Sequence, residues 1–309
     1  MRVQSSCKVN LLLNILGKRA DGFHELETLI YPINLWDELI LEIDQQDLVA
    51  SFDPSPVGEK GRPSMPLIQL TCSEPTLSVD STNLVRRAAT AFFRVFHSRA
   101  QVRIHLEKRI PLAAGLGGGS GNAATTLLGL NRLFNNPLSL EQLVQLAAEL
   151  GSDVPFFLQD KPALATGRGE KIQSFDFFPA LKGAAFLLIH PGFGISTAWA
   201  YQQLSRFPAA LNGKRGRAER LIELLQKEKL TAATGEFYNS LEAPALKKFP
   251  ILGLYQEFLR EHGAMATLMS GSGSTTFAIT ANETMGRQIE TEFKSKFGSC
   301  WTAVVPVNN

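Results

Sequence analysis

The chain has 309 residues, 44% of them hydrophobic and 19% charged, with 31 Lys and Arg against 29 Asp and Glu for a formal net charge of +2. This is the composition of a globular chain long enough for two cores, and its near-neutral balance argues against nucleic acid as the main partner, because gripping a phosphate backbone needs concentrated Lys and Arg. Three cysteines, Cys7, Cys72 and Cys300, are odd in number and far apart, so they fit neither metal-ligand spacing nor a disulfide framework and point to a reducing compartment.

The apolar run at residues 9–16, interrupted by Asn10 and Asn14, is too short to span a membrane, and no small-residue cleavage site accompanies it. It reads instead as a buried strand over 8–16, closed by the turn at 17–22. The protein is therefore expected in the cytoplasm, without a membrane partner. Strand alternation puts Lys8 and Asn10 on one face. An enclosed ammonium or amide needs a partner, unless both simply reach solvent at a strand end. Residues 23–30 and 39–43 continue as strand. Phe23 and His24 follow a glycine and have the means to stack on and hydrogen-bond to a planar ligand, although a histidine in such a place, taken alone, is more often structural. Residues 51–66, rich in Pro, Gly and charge, read as a surface loop between hairpin strands.

Ser81-Thr82-Asn83 caps a helix whose Leu84, Ala88, Ala91 and Val95 recur at helical spacing. An alternating strand at 102–106 then feeds through Lys108 into Pro111-Leu112-Ala113-Ala114-Gly115-Leu116-Gly117-Gly118-Gly119-Ser120-Gly121. Glycine loses more entropy on ordering than any other residue, so this density implies special backbone angles or close approach of a ligand. A helix starting near Asn122 would aim free N–H groups and its positive end into the loop, which suits a di- or triphosphate. A flexible linker is the alternative, but linkers do not run straight into an Ala/Leu-rich helix. No lysine follows the glycines as a Walker loop requires, and Ser120 takes the place of the last glycine of a dinucleotide fingerprint.

Ser139-Leu140-Glu141-Gln142 is a capping box opening a helix with Leu140, Leu143, Val144, Ala147 and Leu150 as its expected buried face and Gly151 as its end. Asp153 follows, between that helix end and an apolar Val-Pro-Phe-Phe run. Partial burial and the negative helix end would disfavour its charge and a nearby lysine would favour it; it is either a turn-former or a catalytic base. Beyond Gln159 the pattern predicts a turn at 167–170, a strand at 184–189, a break at 190–194, a solvated basic stretch at 214–220, and helices at 218–230 and 251–262. Strands at 264–269 and 275–280 flank a second small-residue loop, Ser270-Gly271-Ser272-Gly273-Ser274. A helix carrying Met285, Ile289, Phe293 and Phe297 and a strand at 300–307 complete an α+β half.

Three motifs now stand in order: Lys8 in the first strand, GLGGGSGNAATT, and GAMATLMSGSGSTTF at 263–277. Together they resemble the signature motifs of the GHMP kinases. KVNLLLNILGKRADGFHELETL, PLAAGLGGGSGNAATTLLGLN, GSDVPFFL and HPGFGIST, spread over essentially the whole chain, resemble more narrowly the family of 4-diphosphocytidyl-2-C-methyl-D-erythritol kinases. The resemblance implies a two-domain α+β GHMP kinase fold. Residues 1–161 would form the nucleotide-binding domain and 162–309 the substrate-binding domain, with the active site in a cleft between them. It implies ATP and Mg²⁺ as cofactors, no assigned metal ligand, and a small cytidine diphosphate-linked polyol as acceptor, phosphorylated on its 2-hydroxyl on the way to isoprenoid precursors. Asp153 would be the base, assisted by Lys8. Asn10, Phe23 and His24 would hold the cytidine end, with Thr197 and Tyr201 also on the substrate. ATP would be held by Asn83, Lys108, the loop from Pro111 to Gly121, and Ser270, Gly271 and Ser272.

Two departures from the family pattern stand out. The family often has two serines where this chain has Ser120-Gly121, and usually a tyrosine at Phe23. The rival readings are another GHMP small-molecule kinase, of homoserine or mevalonate type, a nucleotide-binding regulator without catalysis, and a structural protein using glycine loops for packing.

Overall fold

The computed structural model describes residues 1–43, 67–96, 100–227 and 230–307. The loop expected at 51–66 lies outside them. Two compact units interleave along the chain: the first comprises Met1–Ser6, Trp36–Arg109 and Gly118–Gln159, the second Cys7–Leu35, Ile110–Gly117 and Asp160–Asn309. The long strands β1 (Arg2–Lys18) and β2 (His24–Ile43) each give one segment to either unit. Both run well past the apolar stretches that announced them.

In the first unit, β3 (Ile68–Cys72) pairs in parallel with β4 (Val102–Glu107). β4 pairs antiparallel with the end of β2, from Glu38↔Glu107 to Ile43↔Val102. Helix α1 (Leu84–Phe96) starts on Asn83, whose Oδ1 accepts from Val85 N at 2.9 Å. Its Phe92, Phe93 and Phe96 cluster on Phe134, just past α2 (Gly118–Leu133). The second helix thus begins four residues before Asn122, inside the glycines. A Cβ at Gly121 would lie 2.5 Å from Ser6 O, so at that position only glycine lets this turn close against β1. Helix α3 (Leu140–Leu150) has the expected capping box, with Ser139 and Gln142 exchanging bonds. Its buried face differs from expectation. Leu140 and Val144 are 65% and 41% exposed, and Leu143, Leu146, Ala147 and Leu150 face the core. Two overlapping apolar stripes share this helix, and the inner one has the unbroken i, i+3, i+4, i+7 spacing.

In the second unit, the start of β2 pairs antiparallel with β5 (Ala163–Gly167), from Leu26↔Gly167 to Ile30↔Ala163, and β5 forms a hairpin with β6 (Lys171–Ser174). β1 pairs in parallel with a short strand β8 (Tyr238–Asn239), with β7 (Ala185–His190) lying earlier in the chain in a second sheet. That sheet runs β11-β7-β10-β9 with β9 (Ala266–Met269), β10 (Thr276–Thr280) and β11 (Trp301–Pro306), all antiparallel. All six residues of β7 are buried because alternation divides them between two cores: Phe186 and Leu188 enter one, Leu187 and Ile189 the other. Helices α4 (Thr197–Gln203), α5 (Arg217–Gln226), α6 (Glu242–Lys248), α7 (Pro250–Glu261) and α8 (Glu283–Phe297) surround these sheets. Among the described residues no helix is long and apolar enough to cross a membrane, and the three cysteines form no disulfide with one another.

Candidate active site

Strand β1 carries Lys8 and Asn10 on one face, and both are buried, at 3% and 4% exposure. This removes the reading in which they reach solvent. An enclosed cation needs acceptors, and Lys8 Nζ donates to Asn10 Oδ1 at 2.6 Å and to Gly115 O at 2.8 Å. Asn10 Nδ2 donates to Thr28 Oγ1 at 2.9 Å, and that hydroxyl donates to Leu12 O at 2.6 Å. This relay fixes the Asn10 amide with its oxygen toward the lysine. Lys8 N also donates to Leu116 O at 3.0 Å, so the strand is joined to the glycine loop by backbone as well as side chain.

The two small-residue loops meet at the same place. Gly115 has φ +77° and an added Cβ would lie 2.0 Å from Ser270 O. Gly271 has φ +56°, and its Cβ would come within 3.0 Å of Gly115 O and 3.2 Å of Lys8 Nζ. Both positions demand glycine by backbone angle and by space. Ser270 Oγ donates to Gly115 O at 2.9 Å, and Thr275 N to Ala114 O at 3.2 Å. Ala114 and Leu116 point into the core, whereas Pro111, Leu112, Gly115 and Gly117 are half-buried and Ala113 is exposed. Lys8, Asn10, Gly115, Ser270 and Gly271 thus form one constellation. Ser272 Oγ lies 2.9 Å from Thr197 Oγ1, at the start of α4.

Thr197 and Tyr201 are one helical turn apart and share a face. The Tyr201 ring lies 5.2 Å from that of His24, tilted by 42°. Burial, with the charge of Lys18 adding to it, lowers the His24 pKa and favours the neutral imidazole, which offers one donor and one acceptor. Phe23 is 54% exposed, and the Arg168 guanidinium sits 4.7 Å from its ring centroid. The sequence marked Arg168 only as part of a turn. An arginine over an aromatic face is a cation–π contact, and it occupies a face that the sequence left open for a ligand.

The remaining expected residues belong to the first unit. Gly118, Gly119, Ser120 and Gly121 form the first turn of α2, whose N–H groups have no intrahelical acceptors. Asn83 is buried and uses both ends of its amide locally, donating to Ser78 O at 2.7 Å while capping α1. Lys108 is tied down too: its side chain is 5% exposed and its ammonium is paired with Asp37, which is fully buried. Asp37 also accepts from Arg109 N at 2.8 Å and from Asn122 Nδ2 at 3.0 Å, and Asn122 Nδ2 reaches Ser5 Oγ at 2.9 Å. This acid holds the approach to the glycine loop and the first turns of α2 together. No local signal marks it in the sequence, since its partners lie 71 to 85 positions away.

Asp153 lies in a turn closed by Val154 N to Gly151 O at 3.1 Å. It is exposed, not partly buried as expected, because Val154, Pro155, Phe156 and Phe157 take the inward positions. That apolar run anchors the turn on α2: Phe157 Cδ1 lies 3.5 Å from where a Gly121 Cβ would be.

Comparison with known proteins gives these arrangements a family. Residues 83–161 match the GHMP kinases N terminal domain and residues 209–299 the GHMP kinases C terminal domain. The 4-diphosphocytidyl-2-C-methyl-D-erythritol kinase of Syntrophotalea carbinolica is 36% identical over 98% of this chain and 97% of its own. The protein of the same name from Pelotomaculum thermopropionicum is 37% identical over 93% of this chain and 91% of its own. A crystal structure of 4-(cytidine 5'-diphospho)-2C-methyl-D-erythritol kinase superposes with a TM-score of 0.77 at 31% identity, covering 100% of both chains. Homoserine kinase from Cytophaga hutchinsonii shares the fold, with a TM-score of 0.70 at 20% identity over 98% of this chain and 95% of its own. The chain belongs to the GHMP kinases, and within them to the family of the 4-diphosphocytidyl-2-C-methyl-D-erythritol kinases.

Proposed function

We propose that the protein transfers the γ-phosphoryl group of ATP to the 2-hydroxyl of 4-diphosphocytidyl-2-C-methyl-D-erythritol, giving ADP and the 2-phosphate, a step toward isoprenoid precursors. The observation that carries this is identity of 36% to a kinase of that name over nearly the whole of both chains. His24 and Tyr201 favour an acceptor with a nucleobase over homoserine or mevalonate, which have no flat ring to place against them.

In this reading Asp153 takes the proton of the acceptor hydroxyl as its oxygen bonds to the γ-phosphorus. The bond to the bridging oxygen breaks and its electron pair leaves with ADP. Lys8 keeps positive charge at the site and offsets the charge spreading over the transferred group. The backbone N–H groups of Gly115 through Gly121 and the positive end of α2 hold the phosphates, with Ser270, Gly271 and Ser272. Asn83 and Lys108 border the adenosine, and Asn10, Phe23, His24, Thr197 and Tyr201 the acceptor. With Lys108 on Asp37 and the Asn83 amide engaged locally, these two contribute backbone and shape.

Mg²⁺ fits this donor set as an ion bound largely through nucleotide phosphates and water. Among the described residues no three His, Cys, Asp or Glu side chains cluster as a protein cage. The Ser120 hydroxyl, in the first turn of α2, is the side chain we assign to it. When bound, the ion neutralises phosphate charge. Residues 1–161 carry the nucleotide loop and 162–309 much of the acceptor wall, and the cytoplasm is the compartment.

The test is ADP release with ATP, Mg²⁺ and 4-diphosphocytidyl-methylerythritol, comparing wild type, Asp153→Asn and a reaction without acceptor. Acceptor-dependent turnover that falls by about 10²-fold or more in the variant, with ATP binding intact, supports substrate and base together. A wild type that binds ATP but does not turn over this acceptor overturns the substrate. Equal rates in wild type and variant leave the kinase standing and reduce Asp153 to a turn-former.

A further inference from the structure

Residues 238–242, Tyr-Asn-Ser-Leu-Glu, have no part in the reading above, yet the Asn239 side chain reaches a loop that belongs to it. This segment docks on β1 through Leu12↔Tyr238 and Leu13↔Asn239. Ser240 N donates to Leu13 O at 2.8 Å and Ser240 Oγ accepts from Ile15 N at 2.9 Å. The neighbouring Asn239, 1% exposed, serves a different element. Its Nδ2 donates to Met269 O at 2.7 Å and to Gly271 O at 2.8 Å, and its Oδ1 accepts from Leu241 N at 2.9 Å. Glu242 backs it by accepting from Met269 N at 2.7 Å.

The loop so held is Ser270-Gly271-Ser272-Gly273-Ser274, which has no apolar side chain to wedge into a core. Its position comes from hydrogen bonds: the hydroxyls of Ser270, Ser272 and Ser274 reach Gly115 O, Thr197 Oγ1 and Phe193 O, and at Gly271, which has no side chain, Asn239 holds the backbone. The bond to Gly271 O acts on the residue whose Cα side faces Gly115 O and Lys8 Nζ, at 3.0 and 3.2 Å from an added Cβ. Asn239 stands on the strand that pairs with β1, the strand bearing Lys8. A single carboxamide therefore links the lysine's strand to the loop packed against the lysine.

We infer that Asn239 is a positioning residue for phosphoryl transfer: it holds Gly271 in register with Lys8 and Gly115. This rests on the proposed kinase reading of that constellation. A loss of register of 1 Å at such a site lowers the rate about 10²-fold without removing a binding group. Loss of the two donors also leaves two enclosed carbonyls without their partner.

The experiment compares the full-length wild type with Asn239→Asp, which keeps the size and the acceptor but loses the donors, and with the milder Asn239→Ser should the first not fold. Ser240→Ala is the control, since it weakens the same segment's hold on β1 without touching the loop. Backbone hydrogen exchange is followed in peptides covering 113–117 and 269–274, and kcat and KM are measured for ATP and acceptor. The expected result is faster exchange in both peptides and a fall in kcat of about 10²-fold, with KM for ATP changed less than about 3-fold and Ser240→Ala retaining kcat. Unchanged exchange in the two loops overturns the inference, as does faster exchange with wild-type kcat, or an equal loss of kcat in Ser240→Ala. A wild type inactive toward this acceptor refutes the substrate reading instead, while the exchange comparison still decides whether Asn239 holds the loop.

Discussion

Glu242 offers a quantitative test of the packing behind the second glycine loop. Its carboxyl oxygen Oε1 accepts from Met269 N at 2.7 Å and from Gln256 Nε2 at 2.6 Å. Burial raises its pKa from an ordinary value near 4.5 to about 7, against the pull of those two hydrogen bonds and of the Arg260 charge. Between these values the folded protein keeps a proton that the unfolded chain has released. The unfolded state then binds fewer protons, so stability falls as pH rises through the window. A displacement of this size corresponds to at most about 3 kcal/mol once the pH exceeds 7. Glu242→Gln supplies the shape and acceptor of the protonated acid without the charge. Urea denaturation from pH 4 to pH 8, read by Trp199 and Trp301 in the same unit, should give nearly equal stabilities for the two proteins at pH 4, below the unfolded value. The variant should lead by up to about 3 kcal/mol at pH 8. A difference that stays constant with pH, or a wild type that gains on the variant as pH rises, would refute the argument that burial dominates at this carboxyl.

Other substitutions contrast a buried with an exposed ion pair and probe the first turn of α2. Asp37→Asn leaves the Lys108 ammonium enclosed without its counter-charge and should cost roughly 3–5 kcal/mol in urea denaturation. Asp176→Asn, in the second unit and in an ion pair whose aspartate is 92% exposed, should leave the urea midpoint essentially unchanged. Equal effects would mean that Asp37 is solvated. Gly121→Ser restores the serine pair common in the family but pushes a Cβ to 2.5 Å from Ser6 O. It should destabilise this chain by about 1–3 kcal/mol, measured by thermal unfolding. An unchanged midpoint would show that β1 yields at no cost.

The sequence made legible what depends on neighbours a few positions apart. Alternation alone put Lys8 beside Asn10, the capping box located α3, and glycine density located both loops. What it did not disclose depends on partners far along the chain. Asp37 stands inside a strand with nothing in its flanks to distinguish it from a solvated acid, and only the fold brings Lys108 and Asn122 to it. The same holds for Arg168 against Phe23 and for Asn239 under Gly271. The sequence points to a later start for α2 because glycine is a poor helix former. At Gly121 the residue is set by the nearness of β1, a tertiary fact that overrides propensity. The buried face of α3 differs from the expected one for the converse reason, since periodicity allows two stripes and only packing chooses between them.

The interleaving of β1 and β2 between the two units has a consequence for synthesis. The first segment of β2 waits for β5, with Leu26 opposite Gly167, and β1 waits longer still, with Leu12 opposite Tyr238. At a ribosomal speed of about 5–20 residues per second, the wait for β5 alone is on the order of ten seconds. Throughout it, the apolar segment Leu11-Leu12-Leu13 emerges ahead of the strands that will cover it. A nascent chain halted before residue 160 therefore leaves the edge of β2 from Leu26 to Ile30 without its partner strand, and the burden of keeping it from pairing with other chains falls on whatever receives it at the exit tunnel.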